Sequence, residues 1–117
     1  MNSQPGEMKA VDLIGAGERA LVIYTDGRGL VIEDNGDGQT GNWVIRRNVR
    51  VDSVILYHLT PHGIEVYKGA FAGVIGEVGH SRRVIGFSGL QHVGHTNLTW
   101  PQFAGGGANP IRYVSRV

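Results

Sequence analysis

Arg46, Arg47 and Arg50 follow closely on Trp43 in the run GNWVIRRNVRVDSVILY, from Gly41 to Tyr57. An indole preceded by a glycine and an asparagine offers a flat face with little steric obstruction, and guanidinium groups beside it can hold phosphates. That set suits the stacking of a nucleobase. Two plainer readings use the same residues: a tryptophan packed in a core, and a solvated, charged edge that discourages sheet-to-sheet pairing. Arg82 and Arg83 form a second, smaller basic pair. The strand Val51 to Tyr57 would tie the platform to a core.

Other chemistry is less well supplied. His58 with His62, and His92 with His95, have ligand-like spacing. One pair sits at a strand end and a turn, and the other in a glycine-rich loop, so no metal is assigned. The absence of cysteine removes disulfides, thiolate metal sites and a catalytic thiol. A hydrolase needs a nucleophile beside a base, or paired carboxylates. Residues 38 to 117 hold only Asp52, Glu65 and Glu77, separated by turns. Neither catalytic residues nor a cofactor are assigned. Gly15-Ala16-Gly17-Glu18-Arg19-Ala20 matches a dinucleotide fingerprint formally, but it opens the strand-like ALVIY instead of a helix, so its glycines read as a turn. Asp34 to Gly38 has the wrong acidic spacing for a calcium loop, and Ile45 stands where the closing glutamate belongs. It reads as a mobile loop delivering the chain to Gly41.

The chain has 117 residues, room for one domain and one core, with residues 1 to 9 as a flexible lead-in. A hydrophobic share of 41% excludes global disorder. Nineteen glycines are far above the usual ~7% and argue for short strands and tight turns over long helices. Residues 1 to 37 carry three basic and seven acidic side chains, and the remainder eight and three. One face can therefore meet a polyanion while the net charge stays at +1. No leader-like segment and no run of about 20 apolar residues is present, so a cytoplasmic protein without a membrane partner is expected.

The elements that must position these residues are strands. Ala20 to Tyr24, Leu30 to Ile32, Val51 to Tyr57, Ile64 to Lys68, Ala70 to Ile75, Val84 to Phe87 and Ile111 to Val114 carry β-branched or alternating patterns bounded by turn residues. Gly76 to Arg83 reads as a loop, and Trp100 to Phe103 as a short helical turn. The expected fold is α+β, mainly β: a small curved or barrel-like mixed sheet with short helices.

The order of features resembles the PUA-like superfamily of reader domains, including YTH and EVE modules and the modified-base sensors of modification-dependent restriction endonucleases. Leu21 to Tyr24, a polar loop and Gly41-Asn42-Trp43 look like the first strand, loop and cage tryptophan of YTH domains. Val51 to His58 is similar to an EVE strand closed by tyrosine and histidine. Gly94-His95-Thr96 with Trp100 and Phe103 has the look of the closing segment in endonuclease-linked sensors. Val44 and Ile45 replace the serine-threonine pair of YTH domains, and the asparagine-rich helix of EVE domains is missing.

The resemblance implies a sensor that flips a modified, methylated base of DNA, a methylcytosine or methyladenine, into an aromatic pocket. Trp43 would be one wall, with Tyr24, Tyr57 or Trp100 as another and Thr25, Asp26 and Asn42 as polar contacts. Arg46, Arg47, Arg50, Arg82 and Arg83 would hold phosphates. The implied partners are nucleic acid, DNA before RNA, and a nuclease domain or subunit of a restriction system. The alternative is a small RNA-processing enzyme or toxin-like protein using the histidines of the basic half.

Overall fold

The computed structural model describes residues 8–97 and 110–116. After a 3-10 turn at Ala10–Leu13 come seven strands: β1 Arg19–Thr25, β2 Val31–Ile32, β3 Gly38–Val44, β4 Ser53–Thr60, β5 Gly63–Val78, β6 Arg82–Thr96 and β7 Ile111–Ser115. They make one unclosed mixed sheet in the order β2-β3-β6-β5-β4-β1-β7. Strand accounts for 62% and helix for 4%, so the mainly-β expectation stands while the short helices reduce to the single 3-10 turn among the described residues.

β1 pairs in parallel with β4, and every other neighbouring pair is antiparallel. A parallel pair flanked by further strands is covered on both faces, which is why ALVIY and SVILY are apolar almost throughout. Leu21, Ile23, Val54 and Leu56 point to one side, where Ile85, Phe87 and Leu90 of β6 join them. Ala20, Val22, Ile55 and Tyr57 point to the other, with Ile64 and Val66 of β5, under a cover of Met8, Leu13 and Ile14. One sheet therefore carries a core on each face.

The β4–β5 hairpin closes through Pro61-His62, where the Thr60 hydroxyl donates to Gly63 O at 2.8 Å and accepts from His62 N at 3.1 Å. The β5–β6 hairpin is much longer, and its register shifts repeatedly, between Val66 and Tyr67, Lys68 and Ala70, Phe71 and Gly73, and Val74 and Gly76. Each irregularity adds local twist. The hairpin thus offers β5 residues 63–70 to β4, and β6 residues 82–87 to β3.

Three sequence expectations change. Ile64 to Lys68 and Ala70 to Ile75 are one strand, because Gly69 and Gly73 sit beside bulges inside a continuous ladder instead of breaking it; a Cβ at Gly69 would lie 2.8 Å from Ser88 O. Gly76 to Arg83 contracts to a turn at 79–81, placing Arg82 and Arg83 in β6, and His92 and His95 also lie in β6. Residues 34–38 form a fastened turn: Glu33 N donates to Asp37 O at 2.8 Å and Leu90 N to Gly36 O at 2.8 Å. Trp100 and Phe103, with the helical turn expected around them, lie outside the described residues.

Candidate functional site

The chain leaves β1 through Thr25-Asp26-Gly27-Arg28-Gly29, and this turn lies directly on β3. Gly29 has φ +72°, and a Cβ there would fall 2.2 Å from Gly41 O. Gly41 N in turn donates to Gly29 O at 3.2 Å. At position 29 only a residue without a side chain lets the two backbones come so near. Within the turn, Thr25 Oγ1 accepts from Gly27 N at 3.0 Å, and Asp26 pairs with Arg28 at 2.9 Å. Hydrogen bonds from the Arg28 side chain and amide hold the Asp26 carboxyl below its usual range.

β3 carries a bulge between Thr40, which faces Ile85, and Trp43, which faces Arg83. A spacing of three would put Thr40 and Trp43 on opposite faces of a regular strand. The extra residue keeps both on the same side, and Trp43 Nε1 donates to Thr40 Oγ1 at 3.0 Å. Thr40 is fully buried, so the indole is held at its polar edge while part of its surface stays open.

Turn and bulge together border a cleft of about 630 Å³. Tyr24, Thr25 and Asp26 line it from one segment, Asn42 and Trp43 from another, and Arg28, Leu59 and Arg82 complete it. Five of the seven residues expected at a base pocket therefore come together. Tyr57 does not join them: it is fully buried, its hydroxyl donates to Met8 O, and its ring stacks against Tyr24 at 6.4 Å and 13°. Burial, and the nearby negative charge of Asp12, push its phenol upward. Tyr24 and Tyr57 are register partners on one face of the sheet, whereas Trp43 packs against the core of the other face, so Tyr24 and Trp43 reach the cleft from different sides. Trp100 lies outside the described residues.

The five arginines expected at phosphates separate. Arg82 lines the cleft, its Nη1 donating to Asn42 O at 3.2 Å. Arg83 is buried, with Nη1 donating to Ile45 O at 2.6 Å and Ser81 O at 3.2 Å; its Nε lies 3.4 Å from Glu77 Oε1 without hydrogen-bond geometry. Arg47 is paired to the same carboxylate at 2.7 Å. Arg46 and Arg50 line a different cleft, with Arg19 and Tyr113. Arg28 and Leu59 escaped sequence reasoning, although Arg28 sits in a turn that was legible; Leu59 gave no signal.

At the far end of the β5–β6 hairpin, His92 Nε2 lies 2.6 Å from Glu65 Oε1, with the Tyr67 ring edge-on to the imidazole at 5.2 Å. Glu65 also faces His58 on β4 and His95 on β6. Among the described residues no three histidine, aspartate or glutamate side chains form a set that could hold a metal ion, and no helix is long and apolar enough to cross a membrane.

No protein-family model, curated protein or solved structure matches this chain. The likeness to YTH, EVE and PUA-like modules accordingly rests on the short motifs quoted above.

Proposed function

We propose that this chain is a nucleic-acid-binding sensor of PUA-like type, which takes a flipped, methylated base of DNA into the cleft bordered by the 24–26 segment and Trp43. One observation carries the reading: two segments on either side of β2, 24–26 and 42–43, wall a single cleft with an arginine at its rim. The indole supplies a stacking face whose own N–H is already satisfied. Asn42 offers both a donor and an acceptor to a base edge, and the Asp26 carboxylate an acceptor for an exocyclic amine. Arg82 and Arg28 keep N–H donors beyond those bonded to Asn42 O and Asp26, and with them take flanking phosphates. A base methyl adds apolar contact worth about 1 kcal/mol, so larger selectivity has to come from a polar group that the unmodified base leaves badly paired. The sensor would act in the cytoplasm as the specificity module of a modification-dependent restriction system, beside a nuclease domain or subunit.

The test is binding to matched short DNA and RNA duplexes carrying cytosine or adenine, plain or methylated, at two salt concentrations. Preference for one methylated base, lost in Trp43→Ala while salt-dependent binding persists, is the expected result. Equal or absent binding across the set sinks the proposal. A second reading draws on the His92–Glu65 pair, which is the histidine and carboxylate that an RNA-processing enzyme would use as a general acid or base. RNA cleavage abolished by His92→Gln would favour it over the sensor.

A further inference from the structure

Nine arginines occur in the chain, and six of them are engaged within the protein. Arg28 pairs with Asp26 and Arg47 with Glu77; Arg82, Arg83 and Arg116 donate to backbone carbonyls, and Arg112 also has a partner. Arg19, Arg46 and Arg50 are the three whose side chains have no ion-pair or hydrogen-bond partner among the described residues. All three line one cleft of about 670 Å³, together with Tyr113 of β7. Unpaired like charges repel one another, and a fold that gathers them in one concavity has arranged a field for an anion.

The framework around them is fixed. Ile45 is buried and accepts from Arg83, and at the other end Asp52 N donates to Arg19 O at 2.8 Å while Arg19 N donates to Asp52 Oδ2 at 2.9 Å. Between these anchors Val49 and Val51 pack against the core, leaving Arg46 and Arg50 exposed. Pairing of Arg19 with Ser115 and of Leu21 with Tyr113 places Arg19 and Tyr113 on one face of the sheet. Tyr113 is 54% exposed on the edge strand, and Arg46 is near enough to act electrostatically on its phenol. The Asp52 carboxylate accepts from the Arg19 amide and borders the adjoining depression.

We propose that this cleft is a second anion site, which holds the phosphates of a nucleotide on Arg19, Arg46 and Arg50 with the nucleotide's base stacked on Tyr113. The inference is independent of whether the Trp43 cleft takes a base. The nucleotide is either a unit of a strand or a free nucleoside polyphosphate, and the chemistry of recognition is the same.

The experiment is calorimetric titration of the full chain with an oligothymidylate, with dTTP and with inorganic triphosphate at low salt. Thymidine probes carry no methylated adenine or cytosine, so their binding does not depend on the modified-base reading. Wild type is expected to bind all three, and Arg46→Gln combined with Arg50→Gln to weaken each by about tenfold or more, as lost phosphate contacts do. Lys9→Gln combined with Arg47→Gln removes the same charge elsewhere and is expected to cost less than about threefold. Tyr113→Ala is expected to weaken the two thymidine ligands while leaving inorganic triphosphate unchanged. The tighter of the oligonucleotide and dTTP identifies the source. Binding of none of the probes, or equal losses in the two double variants, overturns the proposal.

Discussion

Glu18 shows how much a single side chain can secure. Its carboxylate accepts from Gly15 N at 2.9 Å, from the Ser53 hydroxyl at 2.5 Å and from Lys68 Nζ at 2.9 Å, and Lys68 also donates to Leu13 O at 2.7 Å. The Gly15 amide, then the Ser53 hydroxyl, then Lys68 pull its pKa from 4.5 down to about 2. A carboxylate depressed in the folded state stabilises above its unfolded pKa and loses that contribution as pH falls toward its folded value. Stability to denaturant is therefore expected to fall between about pH 4.5 and pH 2 by about 1 to 2 kcal/mol, a linkage reduced by the solvent that reaches Glu18. Glu18→Gln should flatten this part of the profile. At the residue scale the sequence identified types better than duties. Trp43 and Tyr57 were both candidate cage walls, yet one borders a cleft and the other is core, because strand parity and bulges decide which face a ring takes. Arg83 was indistinguishable from Arg82, and they part because adjacent positions in β6 face opposite sides.

Among the elements, the contact between the 25–29 turn and β3 is the one on which the cleft depends. Gly29→Ala would force a Cβ against the Gly41 carbonyl at a positive φ, so a loss of about 1 to 3 kcal/mol is expected. Trp43 fluorescence should report the displaced strand alongside the lowered denaturation midpoint. An unchanged midpoint and spectrum would show that the two backbones separate without cost. β1, β4 and β7 were readable because β-branched runs bounded by turn residues have few other uses. The long hairpin was not: its glycines look like punctuation in sequence and act as bulge positions in structure. The bulge in β3 left no trace either, since one extra residue changes the side-chain face without changing composition.

For the whole molecule, stability centres on the strands buried on both faces. Leu56 is fully buried in the middle of β4, and Leu56→Ala is expected to cost about 2 to 5 kcal/mol in urea denaturation. That loss should exceed the effect of replacing an exposed side chain at the cleft rim, such as Asn42 or Arg82. A mainly-β chain was legible from glycine content and short apolar runs. Its topology was not, because hydrophobic alternation tells which face a strand buries and nothing about which neighbour it takes. The unequal charge of the two parts of the chain was legible too, but only the fold separates the engaged arginines from the three that converge.

β1 takes β4 and β7 as its hydrogen-bonded neighbours, both of them later in the chain. During synthesis it emerges early and waits, since no strand can flank it until residues 53–60 have followed. Its second edge stays open until residues 111–115 arrive. The β4, β5 and β6 hairpins, by contrast, can form from local contacts as they appear, whereas distant pairings are slow to close. ALVIY is thus the segment that a nascent chain exposes longest, and the one at which a chaperone would have to act.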